Sequence, residues 1–424
     1  MTTLARGLAP ERTVLANGAV VIVQETTTTP AVTIDAMFRA GSVHDPQDRL
    51  GLAFLAGRVL DRGTERRAAD VLAEELDDRG VSLRIVTTRH TLGISCTCLA
   101  NDFDPMLSLV VDIARRPTFP DDEIGKRRAE AITAIRQDED NPAVRAVENA
   151  FELMYGAGHP YARKAKGTAA SLERVQRAAL TAFHRHHVVP GALSLVVVGD
   201  VRAPRVVERA ADELAGWTGA RPEPMVVPSP PPATTRRRRV IAMPGKSQTD
   251  IAYGFTTITR LDPRYHAYWM MNNILGQFGL GGRLAENIRE RQGMAYYAFS
   301  SCDPNVAEGP LLVRAGVDPA NVERAVAAID KEVRELGTDG PTATEVAETR
   351  AYLIGSIPRM FETNQSIAAF LQNSELFGLG LDHDQRLPAL LEAVSRDEIA
   401  AAASEVLRPE HASVAIAGPH EAEG

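Results

Sequence analysis

The chain has 424 residues, of which 44% are hydrophobic and 24% are charged, and its formal net charge is −8. This length predicts two or more domains, each large enough for its own core. The mild negative charge argues against nucleic acid as the main partner. Because no apolar run of about eighteen residues occurs and the N-terminal segment lacks an apolar stretch, we expect a cytoplasmic protein that is not inserted in a membrane.

The first predicted elements form a hairpin over residues 13–40. Asn17-Gly18 lies between two apolar runs, and both residues tolerate the positive φ of a tight turn. A threonine-rich crossover then leads to a predicted strand, Ala31–Phe38. Gly51–Thr64 follows as a predicted helix, because its apolar residues recur at helical spacing. Those residues are Leu52, Leu55, Val59 and Leu60.

The rest of the first half mixes helices and strands without regular alternation. Helices are predicted over residues 67–79, 106–115, 120–137 and 143–155, and strands over residues 81–87, 91–99 and 192–198. In the strand 91–99, Cys96 and Cys98 are expected to point to one face, while Cys302 is remote. A metal pair is one interpretation, but two small core side chains are favoured because no matching ligands accompany them. No disulfide framework is implied.

A proline-rich stretch, residues 221–235, can continue neither a helix nor a central strand and predicts a linker. Arg236–Arg239, directly after it, is interpreted as the solvated start of a strand rather than a patch for nucleic acid or phosphate. We therefore expect an N-terminal domain over residues 1–219, a linker over 220–235 and a C-terminal domain over 236–424.

The C-terminal domain repeats features of the first. Residues 247–257 repeat the strand that precedes the first helix, residues 264–275 repeat that helix, and Pro409–Gly418 repeats Pro190–Gly199. The nearly equal offsets indicate a duplicated unit. Because hairpins and helices do not alternate regularly, we predict an α+β fold of two homologous domains, each with helices packed on a mainly antiparallel sheet.

With its flanking Gly-Leu-Ala and Gly-Thr, the helix over 51–64 resembles the signature helix of the insulinase and mitochondrial-processing-peptidase family of zinc metallopeptidases. Members of that family carry H-x-x-E-H there, two zinc ligands and a general base. Aligned without a gap, the two His positions fall on Phe54 and Arg58, and the Glu position falls on Gly57. Neither Phe54 nor Arg58 can bind zinc.

The position of the third zinc ligand is also changed. Residues 135–142 resemble the turn that follows this ligand in the family, but the paired Glu before the turn is replaced by Thr133-Ala134. A cluster of His184, His186 and His187 is the weaker metal interpretation, because no carboxylate or cysteine lies at matching spacing and a solvated helix end is favoured. The resemblance therefore implies that this chain binds no zinc.

Two residues of the second half match a functional pair of the family. Arg289 lies in the last turn of a predicted helix, residues 284–291, and Tyr296 lies in a predicted strand, residues 294–299. From the residues alone, a helix C-terminus and sheet packing would explain them. The resemblance implies that they hold the substrate backbone and the developing oxyanion, a task that suits two fixed donors.

A glycine-rich run precedes that helix and contains Gly276, Gly279, Gly281 and Gly282. It is a weak candidate for a phosphate cradle, because it follows a helix and lacks the lysine of a P-loop. A flexible loop between two helices fits better. The non-catalytic subunit of the mitochondrial processing peptidase has a longer glycine-rich substrate loop there, so the resemblance implies a peptide-gating role.

The resemblance predicts a non-catalytic, substrate-binding subunit of a heterodimeric zinc metallopeptidase that supplies Arg289 and Tyr296 to its partner. The expected partner is a homologous chain that carries H-x-x-E-H and holds the zinc, and the expected substrate is a peptide. The alternative is a structural or assembly protein of the same fold, like the core subunits of a respiratory complex. A peptidase with another nucleophile has little support, since no G-x-S-x-G or paired Cys and His signature occurs.

Overall fold

A computed structural model describes residues 7–277 and 282–419, which form two compact units. Unit 1 consists of residues 7–135, 164–225 and 357–386. Unit 2 consists of residues 136–163, 226–356 and 387–419. Each unit thus includes a segment from the opposite half of the sequence. The predicted division of the duplicated halves at residues 220–235 stays a prediction.

The sheet of unit 1 has six strands in the order β1-β2-β6-β3-β5-β4. They are β1 (Glu11–Val14), β2 (Val20–Glu25), β3 (Ala31–Phe38), β4 (Ser82–Thr87), β5 (Leu92–Leu99) and β6 (Leu193–Gly199). The predicted Asn-Gly turn joins β1 to β2, and Gly18 has the expected positive φ of 88°. The chain then crosses to β3 on the far side of β6. Only β2 and β6 pair in parallel, so the sheet is mainly antiparallel, as predicted.

The helices of unit 1 cover both faces of this sheet. They are α1 (Leu52–Val59), α2 (Ala69–Asp77), α3 (Phe103–Arg115), α4 (Asp121–Glu139, with its last residues in unit 2), α6 (Ala169–Glu173), α7 (Arg177–His187), α8 (Ala203–Glu213) and α12 (Asn364–Phe377). Residues of α1, α3, α7 and α8 share the main core with inward-facing residues of the sheet. On the opposite face, α12 packs Ile367 and Leu371 against Val196 and Val198 of β6. Covered on both faces, β6 is buried along its whole length, which explains its continuous apolar sequence.

Unit 2 repeats this topology with five strands in the order β7-β11-β8-β10-β9. They are β7 (Arg237–Ala242), β8 (Thr249–Thr256), β9 (Ala295–Cys302), β10 (Pro310–Val317) and β11 (Ser413–Gly418). Here β7 and β11 form the parallel pair, and all other pairs are antiparallel. Without β1, the strand order of unit 1 is the same, which confirms the predicted duplication of an α+β fold.

The helices of unit 2 include one from the first half of the sequence. They are α5 (Pro142–Tyr155), α9 (Tyr265–Asn272), α10 (Val322–Asp339), α11 (Ala343–Ser356), α13 (His383–Ala393, which begins in unit 1) and α14 (Arg396–Val406). α5 packs on β8 and β11, as α12 packs on the sheet of unit 1. Two segments, Asn273–Gln277 and Ala285–Arg291, are π-helical, where α-helix was predicted. None of the helices in the described part of the chain is both long and apolar enough to cross a membrane.

Candidate functional site

Helix α1, at the position of the zinc-binding signature, is held at its start by a buried carboxylate. Asp45 is 3% exposed and accepts hydrogen bonds from the backbone N–H groups of Gly51 (2.7 Å) and Ala53 (2.8 Å). These donors would otherwise be unpaired at the helix N-terminus. Gly51 has a φ of 87°, and any Cβ there would overlap with the backbone of Lys166. The helix of the signature and the contacts at its N-terminus are therefore present, although the zinc-binding side chains are not.

Each position of the signature has a structural role in place of a catalytic one. Phe54 is half-buried and packs against the core of unit 1. Gly57, at the position of the general base, is buried so closely that a Cβ would overlap with Oγ1 of Thr87 on β4. A glutamate at position 57 would therefore displace Thr87. The packing of α1 on β4 therefore suits a residue without a side chain at the position of the general base.

An ion pair joins α1 to α4, the helix on which the third zinc ligand was expected. Arg58 lies 2.7 Å from Glu130, and both side chains are 44% exposed. Glu130 also pairs with Arg127, at 2.8 Å. Thr133, one turn later on α4, donates its hydroxyl to the carbonyl of Ala129 in its own helix (3.0 Å). Sequence reasoning missed Glu130, although an arginine at a ligand position could have prompted a search for a carboxylate near residue 133.

These residues do not fit a zinc ion. A phenyl ring and a guanidinium offer no lone pair to a metal, and the Thr133 hydroxyl is turned to its own helix. Throughout residues 7–277 and 282–419, no group of three or more His, Cys, Asp or Glu side chains is placed to hold a metal ion. The predicted loss of the zinc ligands in this chain rests on the identity of the residues themselves.

The other candidate metal residues have different environments. Nε2–H of His184 donates to the carbonyl of Ala114 at 2.7 Å. The ring of His187 packs at a tilt against that of His44 (4.3 Å between centroids) and edge-on against that of His186 (4.6 Å). Burial lowers the pKa of His187 to about 3 and also lowers that of His44. His184 and His187 are thus buried in unit 1, whereas His186 is exposed in the last turn of α7.

Cys96 and Cys98 are both buried on one face of β5, as predicted, and belong to the core of unit 1. The pKa of the Cys96 thiol is raised by a hydrogen bond with Cys98 and by burial, which favours the protonated thiol. Cys302 is also free. Two small core side chains therefore describe this pair better than a metal site does.

In unit 2, Arg289 and Tyr296 both lie at the surface. Arg289 belongs to the π-helix Ala285–Arg291, its side chain is 44% exposed, and it pairs with the adjacent Glu290 at 3.2 Å. Tyr296 is the second residue of β9, the edge strand of its sheet, and is 85% exposed. Gly293 turns the chain between them with a φ of 61°. Within the described residues no hydrogen bond joins the two side chains, and both are open to solvent, Arg289 with Glu290 as its ion-pair partner.

The glycine-rich run is closed at its base by contact between two backbones. A Cβ at Gly282 would lie 2.8 Å from Cα of Gly276, and a Cβ at Gly276 would lie 2.8 Å from the backbone nitrogen of Ser300 on β9. Glycine is therefore required at both positions by close approach. Gly279 and Gly281, the other two predicted loop residues, lie outside the described part of the chain. Gating of a peptide by this loop stays a prediction.

The basic stretch after the proline-rich segment is neutralised within unit 2. Arg236 pairs with Asp330 at 2.8 Å, Arg238 pairs with Glu323, and Arg239 pairs with Glu152 at 2.6 Å. Arg237 donates to the carbonyl of Leu153 on α5. Arg237 and Arg239 thus join the stretch to α5, and Arg236 and Arg238 join it to α10, which supports the structural interpretation of the stretch.

Two family models match the chain in succession. One is described as insulinase (peptidase family M16) and matches residues 20–168, and the other is described as peptidase M16 inactive domain and matches residues 174–353. The first match contains the degenerate signature helix, and the second contains Arg289 and Tyr296.

Known relatives and a solved structure extend the similarity to almost the whole chain. An uncharacterized zinc protease of Mycobacterium tuberculosis is 25% identical over 98% of this chain and 94% of its own length. The non-peptidase homolog YmxG of Helicobacter pylori is 25% identical over 89% of this chain and 87% of its own length. A crystal structure of a peptidase M16 inactive domain from Pseudomonas fluorescens matches with a TM-score of 0.91 and 25% identity, covering 98% of this chain and 99% of the other.

Proposed function

Because the chain belongs to the M16 (insulinase) peptidase family, we propose that it is the non-catalytic, substrate-binding subunit of a heterodimeric zinc metallopeptidase. The partner is a homologous chain that carries H-x-x-E-H and holds the zinc, and the substrate is a peptide. This chain contributes Arg289 and Tyr296, whose guanidinium and phenol groups donate hydrogen bonds to peptide carbonyls and to developing negative charge. A cytoplasmic location stays a prediction from the sequence.

The packing around Gly57 is the observation that carries this proposal. A Cβ at the base position would overlap with the Thr87 hydroxyl, and the ligand positions hold a half-buried phenylalanine and a paired arginine. Meanwhile the donor pair of unit 2 remains exposed. Loss of the zinc ligands and the general base, combined with retention of two exposed donors, fits a subunit that binds substrate for another chain.

A structural or assembly protein of the same fold is the second candidate. Its support is the relative of similar length that is named a non-peptidase homolog. In such a protein Arg289 and Tyr296 would be ordinary surface residues. Affinity purification of the tagged chain from its native lysate separates the two functions. Recovery of an equimolar chain with H-x-x-E-H supports the peptidase subunit, whereas recovery of the chain by itself contradicts it.

Elemental analysis of the purified chain tests whether this subunit lacks zinc, as the proposal requires. We expect no stoichiometric zinc in this chain and no peptide cleavage by it alone. One tightly bound zinc per chain would overturn the proposal, because it would place a metal site where these residues offer none.

Substitution of the donor pair tests its role in substrate binding. We expect Arg289→Ala and Tyr296→Phe each to weaken peptide binding by the complex about tenfold, since each removes a donor. The matched control is Arg324→Ala, which removes an exposed arginine of α10. Unchanged peptide affinity and unchanged turnover in both variants would favour the assembly protein.

A further inference from the structure

Unit 2 contains a cavity of about 510 Å³ on the side of the π-helix Ala285–Arg291 that faces α10. The cavity is bounded by this π-helix, by α10, by the turn Gly340–Thr342 and by Arg396 at the start of α14. Its volume lies in the range of small-molecule sites in proteins. Its lining is mainly charged, so the chemistry of a ligand depends on which charges lack a partner.

The arginine and lysine side chains that line the cavity are already engaged. Arg283 forms a two-bond fork with Glu345 at 2.6 and 2.9 Å. Arg291 pairs with Glu286, and Lys331 lies 3.8 Å from Glu335. Arg396 donates Nε–H to the carbonyl of Pro341 at 2.7 Å. The cationic part of the lining therefore has protein partners.

Glu332 is different, because no cationic side chain in the described part of the chain contacts its buried carboxylate directly, although Arg283 and Lys331 act on it from a longer distance. The residue is 8% exposed and lines the cavity from the middle of α10. One of its oxygens accepts a hydrogen bond from the neutral amide of Asn287 on the π-helix. Among the described residues, no ion pair joins Glu332 to a Lys, Arg or His nitrogen within 4.0 Å.

A buried carboxylate served by one neutral donor is poorly compensated. Removing a carboxylate from water is costly unless it is paired with a positive charge or accepts several hydrogen bonds. Burial accordingly raises the pKa of Glu332, and the nearby Glu335 adds to the effect. The hydrogen bond from Asn287 and the more distant charges of Arg283 and Lys331 offset only part of this rise. A positively charged ligand in the cavity would supply the missing compensation.

We propose that this cavity is a binding site for an organic cation, an ammonium or guanidinium group that hydrogen-bonds to the carboxylate of Glu332. A guanidinium presents parallel N–H donors that match the two oxygens of a carboxylate. Such a group occurs on free small molecules and on arginine side chains of peptides. The site lies in unit 2 alone and is separate from any role of Arg289 and Tyr296 in peptide cleavage.

Calorimetric titration of the full chain with butylguanidinium tests the site directly. Butylurea, of nearly the same shape but without the charge, is the control ligand. We expect saturable binding of butylguanidinium with one site per chain and no saturable binding of butylurea. Equal binding of both ligands, or of neither, overturns the proposal without any variant having to fold.

A pair of matched variants then locates the cation. Glu332→Gln removes the charge but keeps the side-chain size and an oxygen that can accept from Asn287, and it is expected to weaken butylguanidinium binding about tenfold or more. Glu348→Gln removes an exposed glutamate of α11 outside the cavity and is expected to leave binding unchanged. Equal effects of both variants would show nonspecific charge attraction and overturn the site.

Competition with a capped arginine peptide distinguishes the two possible sources of the cation, a peptide side chain and a free small molecule. If the peptide and butylguanidinium compete for one site, the cavity accepts a peptide side chain. If butylguanidinium binds and the peptide does not, the ligand is a free small molecule. Both results support a cation site at Glu332. Since the measurements need neither a partner chain nor a cleavage reaction, they can succeed or fail independently of the proposed peptidase function.

Discussion

Gln372 of α12 donates hydrogen bonds to both the backbone carbonyl (2.9 Å) and the side-chain carboxylate (2.8 Å) of Asp35 on β3. The same amide also donates to the carbonyl of Ser194 on β6 (3.0 Å). Gln372 is 4% exposed, and burial raises the pKa of Asp35. This one side chain therefore attaches a helix from the second half of the sequence to two strands from the first half, inside unit 1.

Substitution of Gln372 should be costly to the stability of unit 1. Gln372→Leu keeps a side chain of similar size but leaves Asp35 buried without its amide donor, and we expect a loss of about 2–3 kcal/mol in the free energy of unfolding. Urea unfolding followed by circular dichroism measures this. The control is Gln385→Leu, which removes a hydrogen bond to Leu8 at an exposed site. Equal losses for the two variants would contradict the role assigned to Gln372.

The packing of Gly57 against Thr87 predicts that even a methyl group is not accepted there. We expect Gly57→Ala to destabilise the chain by about 1–3 kcal/mol, as overpacking does in other cores. In a Thr87→Ala background the cost should fall, with a coupling of about 0.5 kcal/mol or more.

Gly125→Ala on α4 is the control, because a Cβ there meets nothing within 4 Å. It should be neutral or stabilising by up to about 1 kcal/mol. Additive effects at residues 57 and 87 would show that the overlap is not what excludes a base.

The base of the glycine-rich run should be equally intolerant. Gly276→Ala would place a methyl group 2.8 Å from the backbone of Ser300 and 2.7 Å from Leu284. Because backbone cannot rotate away as a side chain does, we expect a loss of about 1–3 kcal/mol. Gly355→Ala on α11, where a Cβ meets nothing within 4 Å, is the matched control. Thermal melting of the two variants compares them, and a harmless Gly276→Ala would contradict the close packing.

Two histidines of unit 1 with lowered pKa values, His187 and His90, should make stability fall in acid. Burial and the neighbouring rings of His44 and His186 lower the pKa of His187 to about 3, below the value of about 6.5 in an unfolded chain. The unfolded state thus binds the proton first, so stability is complete above about pH 6.5 and is lost as pH falls towards 3. The pKa of His90, lowered to about 4 by burial and nearby positive groups, adds a loss of the same sign.

A variant isolates the contribution of His187 to this acid sensitivity. His187→Phe keeps an aromatic ring that cannot be protonated, and it should reduce the slope of unfolding free energy against pH by about 1.4 kcal/mol per pH unit between about pH 4 and 6. Between pH 7 and 9 the slopes of the variant and the natural chain should coincide. Chemical unfolding at a series of pH values measures both ranges. Unchanged acid sensitivity would show that His187 is already protonated in the folded chain.

Local patterns in the sequence were sufficient to predict much of the fold and the replacement of the zinc ligands in the signature helix. Turn chemistry predicted the Asn-Gly hairpin, apolar spacing predicted the helix at α1, and local motifs that recur at nearly equal offsets predicted the duplicated unit. The residue identities at the ligand positions, Phe54, Arg58 and Thr133, are enough to show that the zinc ligands of the signature are replaced. Such inferences succeed because they depend only on residues a few positions apart and on the properties of single side chains.

Tertiary structure decided everything that depends on residues distant in sequence. The exchange of α5 and α12 between the halves, the ion pair of Arg58 with Glu130, and the overlap of position 57 with Thr87 all join separate segments. The π-helical form of residues 285–291, where α-helix was predicted, likewise belongs to a segment bound to α10 through Asn287. Local propensity carries no information on which distant segments contact each other, because those contacts depend on the packing of the whole chain. The burial of Glu332 beside Asn287 is one of the features that this packing determines.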